Sequence, residues 1–459
     1  MAPKAKRVIK LHRKKVEISE RTGKPKRIRH DRGAEAAKRQ AKMTKEEWKR
    51  WQNPRVAKEW SRPEYVFEPR AANAIYVRDG GEGAYRDKTY EIVTRWTAQT
   101  QIRYRPHAKS PGSKSHLRYE RYAKAKTIGQ SLALGSKPID WCYDFEHGFI
   151  KVVGGKVRDE PIDRSKIESD DELTAVDQAI MRWFIRELAK RYNLKVSDLR
   201  LEHGASESLM MRAHRLVANR RAKAILDKKR RISDDDVENV LQTWAFARNM
   251  GRLNVMPEGQ DWVKSDTLGL LRDRMGSIHV TKPTSAYVSV AKMLNKWLQQ
   301  RLPSAAASFK WTSINLNCNY AARRHRDANN FGPSFIQAFG SFTGGELSVW
   351  PEDDKSTGLS ALPSYAKQTV DIKRNLVLFN GNTAHEVKPF KGERFSVVYF
   401  CCGCHPQTPR PVAKELKDLG FQLPSATEER HKLLSKPEGY GKKVTRVRKT
   451  VLKVFPAKK

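Results

Sequence analysis

Cysteine is scarce in this chain. Cys142, Cys318, Cys401, Cys402 and Cys404 are all that its 459 residues hold. So sparse and odd a set excludes a disulfide framework and fits a reducing compartment. No stretch approaches the ~18 apolar residues of a membrane span, so no membrane partner is expected. The N-terminal MAPKAKRVIKLHRKK lacks the apolar centre of a secretory signal. Acidic residues are also few: 51 Asp and Glu stand against 90 Lys and Arg, a formal net charge of +39. That excess is an electrostatic footprint for a polyanion, most often nucleic acid. Hydrophobic residues reach only 39 %, so part of the chain is expected to lie unpacked. The Lys/Arg-rich start reads as a nuclear-import patch or a nucleic-acid arm, which makes a nuclear location the expectation. A mitochondrial transit peptide, or an address in another organelle, is the rival. Glu17, Glu20 and the want of Ser-rich stretches weigh against it.

Composition shifts divide the chain. Residues 1–62 read as a basic disordered tail in which 34–51 forms a solvated helix. Residues 63–165 are mixed. There 90–105 reads partly as strand, and 135–156 as strand runs broken by turn residues. Asp144, Glu146 and His147 sit together in that stretch and are read as a turn rather than a metal cluster. Residues 166–260 form a helical basic region, with apolar residues at helical spacing over 171–193 and further helices over 208–231 and 232–251. Ser233 is the expected N-cap of the last and Gly251 its stop. Arg212, Arg215, Arg220, Arg221, Lys223, Lys228, Lys229, Arg230 and Arg231 either grip phosphates or form a wet helix face. Residues 261–409 open with a helix over 285–302 and continue as short strands. Residues 410–459 read as a basic C-terminal tail.

The strand series holds the chemistry. In TSINLNCNY (312–320), Asn315, Asn317 and Asn319 alternate with Ile314, Leu316, Cys318 and Tyr320. Alternation puts the asparagines on one face and the apolar residues on the other, which suits a barrel interior that holds a charged ligand. Next comes His325-Arg326-Asp327. Strands over 335–342, 344–350, 368–372 and 375–380 follow, then His385, then ERFSVVYFC (393–401) with Arg394, Ser396, Val398 and Phe400 on one face. A His-x-Asp pair with a distant His is the two-histidine, one-carboxylate set that holds Fe(II) and leaves coordination positions open. Arg394 is placed to pair with the remote carboxylate of 2-oxoglutarate, and the Ser396 hydroxyl to donate to the same group.

Residues 312–401 resemble the catalytic core of 2-oxoglutarate/Fe(II) dioxygenases. Within that superfamily they look most like the ten-eleven-translocation/J-binding-protein group, which oxidises the methyl of 5-methylpyrimidines in nucleic acid. The resemblance rests on HRDANNFGPSFIQAFGSFTGGELSVW (325–350) and NTAHEVKPFKGERFSVVYF (382–400). It implies an α+β fold: a double-stranded β-helix (jelly-roll) catalytic core at 261–409, with supporting helices, a helical N-terminal region and basic disordered tails. Fe(II), 2-oxoglutarate and O2 would be cofactor and co-substrates. His325, Asp327 and His385 would bind the metal. Arg394 and Ser396 would bind 2-oxoglutarate beside the polar face of Asn317 and Asn319, and Asn330 would steady the loop behind the metal or face the substrate. The implied reaction couples oxidative decarboxylation of 2-oxoglutarate to hydroxylation of thymine or 5-methylcytosine, in DNA rather than RNA. A base inside a duplex would have to be flipped out to reach the metal.

Two other readings stay open. One is a protein hydroxylase of the same superfamily acting on basic or chromatin proteins. The other is a nucleic-acid-binding protein whose barrel is only structural. Cys401, Cys402, Cys404 and His405 are read as small buried residues at a strand end rather than a zinc site. His203, His214 and His279 are read as packing or surface residues, and 351–368 as an exposed loop rather than a lid.

Overall fold

A computed structural model describes residues 59–68, 85–113, 115–162, 173–200, 207–425 and 453–456, with Thr44, Glu46 and Lys49. Most of the expected N-terminal tail and most of its solvated helix lie outside the described residues, as do His203 and most of 426–459. The described chain divides into two compact units, one holding 59–68, 85–162 and 173–183, the other 184–425 and 453–456.

In the first unit α1 (Asp87–Val93), β1 (Gln101–Tyr104), α2 (His116–Tyr122), α3 (Ile128–Ala133), α4 (Pro138–Glu146) and β2 (Ile150–Gly154) precede α5 (Ala175–Arg191), within which the division falls. β1 and β2 pair antiparallel. Two strand expectations are corrected here. Residues 87–93 and 138–146 are helical, and only 101–104 and 150–154 extend. The aromatic run of α4 mimics a strand, yet Pro138 is preorganised for a first helical turn and Asp140 accepts the Lys137 N–H at 3.0 Å. Asp144 is fully buried against Lys109 Nζ at 2.6 Å. Glu146 accepts from the Thr89 hydroxyl and the Arg86 N–H, and His147 stacks on Tyr143, so these three do not converge on a metal.

The second unit continues with α6 (Leu209–Asp227), α7 (Asp234–Thr243), β3 (Arg248–Asn249), β4 (Val263–Arg272), β5 (Ile278–Val280), α8 (Lys282–Ala286) and α9 (Val288–Arg301). Then come β6 (Ser313–Cys318), β7 (Ser334–Phe339), β8 (Phe342–Gly344), β9 (Leu347–Val349), β10 (Gln368–Val370), β11 (Leu376–Phe379), β12 (His385–Val387), β13 (Phe390–Gly392), β14 (Phe395–Phe400), α10 (Arg410–Asp418) and β15 (Lys453–Phe455). Ser233 caps α7 as expected, accepting the Asp236 N–H. The helix ends at Thr243, however, because Trp244 turns to extended backbone; Gly251 is not its stop.

A large antiparallel sheet runs β15-β11-β7-β14-β6-β4-β3, with β5 on β4; a smaller one runs β10-β9-β12. His325 bridges His385, which brings its segment beside β12. Successive elements alternate between the sheets: β6 in the large, the His325 segment in the small, β7 large, β9 and β10 small, β11 large, β12 small, β14 large. This α+β unit therefore places one site between two sheets.

Behind the large sheet lies α9, whose Val290, Met293, Leu294, Trp297 and Leu298 are all buried, as their spacing predicts. Trp297 stacks on Tyr399 with centroids 6.1 Å apart, and the Tyr399 hydroxyl donates to the Leu294 carbonyl at 2.8 Å. Burial worth roughly 1.5–3 kcal/mol per large side chain fixes β14, the strand that presents Ser396. Residues 410–423 are not the start of a tail. α10 buries Leu416, with Leu419 and Phe421 following, against the same core. No described helix is long and apolar enough to cross a membrane.

Many basic residues of 208–231 have internal work. Arg215 is 2 % exposed and pairs with Glu207 and Asp266 at 2.7 Å each. Arg220 donates to the Tyr192 and Asn193 carbonyls, Arg212 to the Asp198 carbonyl, and Arg230 pairs with Asp236. Lys228 and Lys229 remain on the wet side.

Candidate metal centre

His325 and Asp327 lie just beyond β6, and His385 opens β12. The backbone clamps them together. His325 and His385 exchange both N–H···O bonds at 3.0 Å, and the Asp327 N–H donates to the Gly381 carbonyl at 2.9 Å. One donor atom from each of the three side chains lies within 4.8 Å of the other two. His325 Nε2 is 3.6 Å from Asp327 Oδ1, and His385 Nε2 is 4.0 Å from Asp327 Oδ2.

Both imidazoles are oriented by the chain itself. His325 Nδ1–H donates to the Arg323 carbonyl at 2.8 Å, and His385 Nδ1–H to the Thr383 carbonyl at 2.9 Å. Each ring is thereby left with Nε2 as a lone-pair donor toward the centre. Burial, with the neighbouring imidazole adding to it, pulls His325 down to about 3, so the ring is neutral at pH 7. Asn330 Nδ2 donates to Asp327 Oδ2 at 2.9 Å, which steadies the carboxylate. Two imidazoles and one half-buried carboxylate on one side of a cavity fit a ferrous ion with open positions. Among the described residues no other cluster of this kind occurs. Cys402 and Cys404 bring their sulfurs to 3.2 Å but gather no further ligand.

A cavity of about 160 Å³ opens at the triad. Its lining includes Asn315, Asn317, Arg394, Ser396, Val398 and Phe400, as strand alternation predicts. Arg394 is 2 % exposed and lies against the Phe342 and Phe390 rings, each 5.5 Å from the guanidinium. Burial pulls it down to about 10, still charged at neutral pH. Its Nε has no partner, Nη2 reaches only the Gly345 carbonyl at 3.4 Å, and no described carboxylate pairs with it. A buried guanidinium without a counter-charge is costly unless an anion joins it. Ser396 stands beside it and accepts a hydrogen bond from Asn317 Nδ2 at 3.2 Å.

Asn319 is a correction. β6 ends at Cys318, and Asn319 takes the left-handed region at φ 53°. That reverses the alternation, so Asn319 turns outward and Tyr320 turns into the cavity. The Asn319 amide oxygen instead accepts the Arg394 N–H at 2.7 Å, so it positions Arg394 without touching a ligand. Three polar lining residues escaped the sequence reading, Thr267 of β4 among them. Tyr320 is one. Arg252 is another: it enters from the turn after β3, and its Nη1 donates to the Ser265 hydroxyl, Asn317 Oδ1 and the Tyr320 hydroxyl at 3.2–3.3 Å. No local pattern marks an arginine in a turn as cavity-facing.

Comparison with known proteins adds little. No family model matches the chain, and no curated protein does. Among solved structures it is similar to an oxidoreductase of the 2OG-Fe(II) oxygenase family from Burkholderia pseudomallei, at 16 % identity and a TM-score of 0.21, over 33 % of this chain and 74 % of that one. It is also similar to a prolyl hydroxylase from Trichoplax adhaerens, in complex with a hypoxia inducible factor oxygen degradation domain peptide fragment, at 12 % identity and a TM-score of 0.22, over 55 % of this chain and 100 % of that one. Likeness this slight carries no functional argument. The donor geometry has to carry it.

Proposed function

We propose that this chain is an Fe(II)- and 2-oxoglutarate-dependent dioxygenase with a jelly-roll core, hydroxylating the methyl group of a 5-methylpyrimidine, thymine or 5-methylcytosine, in nucleic acid. One observation carries the enzymatic part: His325, Asp327 and His385 converge in a cavity that also holds the unpaired guanidinium of Arg394. The alternation of successive strands between two sheets supports the jelly-roll reading.

Bound here, ferrous iron and 2-oxoglutarate would supply an oxidant for a substrate C–H bond, with O2 as oxygen source and succinate and carbon dioxide as co-products. The chain's part is positional. Nε2 of His325, Nε2 of His385 and an Asp327 oxygen would hold the metal. Arg394, with the Ser396 hydroxyl, would take the remote carboxylate. The apolar wall of Ile336, Leu347, Phe379 and Val398 keeps water from the reacting atoms.

Nucleic acid as substrate is supported by the net charge of +39. A basic protein substrate would meet charge of its own sign. A nuclear location agrees with a DNA substrate and with the basic N-terminus. The test is mass spectrometry of nucleosides from methylated and thymine-rich DNA incubated with protein, Fe(II) and 2-oxoglutarate. Hydroxymethylated bases that vanish with His325→Ala support the proposal. Succinate formation coupled to a peptide but never to DNA would move the chain to the protein hydroxylases.

A further inference from the structure

Resting on the nucleic-acid reading above, the geometry points to a specific strand-engaging rim: the turn Met250–Asn254 and the tip of the β4–β5 hairpin together grip phosphates and press apolar side chains against an unstacked base.

The turn 250–254 is tied to the metal centre. Arg323, two residues before His325, donates through its guanidinium to the Leu253 and Asn254 carbonyls at 2.7 and 3.2 Å, and its own N–H reaches the Val255 carbonyl. Out of this turn Arg252 enters the cavity. Its neighbours do the opposite: Met250 is 70 % and Leu253 69 % exposed. The hairpin comes to meet them. Arg274 Nη2 lies 3.5 Å from where a Cβ on Gly251 would stand, and Met275, next along at the tip, is 92 % exposed.

Three long apolar side chains held in water cost free energy unless a partner covers them. The surrounding charge names the partner's sign. Arg272 and Arg274 are exposed, and neither has a carboxylate within ion-pair distance among the described residues. Asp273, the acidic residue between them, accepts the Ser277 N–H at 2.9 Å and lies 3.9 Å from His279, so its exposed carboxylate is partly engaged within the hairpin. An occupant with regularly spaced negative charge and flat apolar faces between the charges satisfies both observations. A nucleic-acid strand is that occupant. Arginines take phosphates, and Met or Leu side chains fill the gap left when a base is unstacked.

The experiment uses the full chain without iron or 2-oxoglutarate and a duplex carrying one 2-aminopurine, whose fluorescence rises on unstacking. Wild type is expected to raise the signal at saturation. The Met250→Ala/Leu253→Ala/Met275→Ala variant should lose most of that rise while still binding through its basic tails. Arg272→Glu/Arg274→Glu should weaken binding about tenfold and flatten the log K against log salt plot by about 0.9 for each phosphate no longer neutralised. A thermal midpoint equal to wild type shows that each variant is folded. Unchanged fluorescence and salt slope in both variants would overturn the rim. So would a polyglutamate that displaces the duplex at equal charge, since the surface would then read charge alone. Because no turnover is measured, failure here leaves the dioxygenase proposal standing, and absence of turnover leaves the rim to be judged on binding.

Discussion

Arg326, the residue between two of the metal-ligand candidates, forms a two-pronged ion pair with Asp353, with both N···O distances 2.6 Å. Asp353 is 4 % exposed and also accepts the Ala384 N–H at 2.7 Å, immediately before His385. One carboxylate thus spans the long sequence gap between Asp327 and His385. It comes from the 351–368 segment, which the sequence suggested was only an exposed loop. Asp353→Ala is expected to weaken metal affinity about 10–100-fold, as loss of ligand-orienting partners does. Co(II) titration of the folded variant measures it, and wild-type affinity would show that the pair does not position the ligands.

Gly381 is required to be small. A Cβ there would stand 2.7 Å from Asp327 Oδ2 and 3.0 Å from Asn330 Nδ2. Gly381→Ala should therefore push the carboxylate out of place and abolish tight metal binding while the chain stays folded. Metal titration beside circular dichroism decides it. Intact affinity would mean that Asp327 has another way to reach the metal.

Arg394 has a different signature. Arg394→Ala should raise the KM for 2-oxoglutarate about 10²-fold or more, the range for removing one partner of a buried charge pair. Arg394→Lys keeps the charge but not the planar fork and should fall between. Steady-state kinetics over a range of 2-oxoglutarate concentration tests this. A fall in kcat with KM unchanged would argue that Arg394 does not hold the co-substrate.

In the first unit, burial pushes Asp144 up to about 6 despite Lys109 at 2.6 Å and the Tyr122 hydroxyl. A raised carboxyl binds more protons folded than unfolded. Its stabilising contribution is therefore complete below about pH 4 and is lost as pH rises through about 6. The shift of about two units corresponds to on the order of 3 kcal/mol. Against Asp144→Asn, wild type should lose amide-exchange protection in α4 and β2 between pH 4 and pH 7. A ratio that does not move with pH would place the group near its ordinary value.

The legibility of the site in the sequence follows its chemistry. His325, Asp327 and His385 stood out because few residue types ligate iron. Arg394 and Ser396 stood out because a strand repeats every second residue. Asn319 and Tyr320 exchanged faces because one left-handed residue reverses that repeat, and no composition rule marks Asn319 for it. Arg252 arrives from a turn whose destination depends on tertiary packing. Residues 138–146 looked like strand because aromatic residues favour strands, and the helix is decided by Pro138 and Asp140 at its start. Residues 410–423 looked like tail because they run into the basic stretch that follows, yet Leu416, Leu419 and Phe421 are enough to dock α10. The topology was legible only as a series of strands, since pairing between sheets is set by residues remote in sequence.

The most direct test of the central claim is anaerobic absorption spectroscopy with Fe(II) and 2-oxoglutarate. Chelation of the oxo acid by a ferrous ion held at His325, Asp327 and His385 predicts a visible charge-transfer band that needs both additions and disappears in Asp327→Ala and His385→Ala. No band in the wild-type protein, or a band that survives both substitutions, would contradict the account.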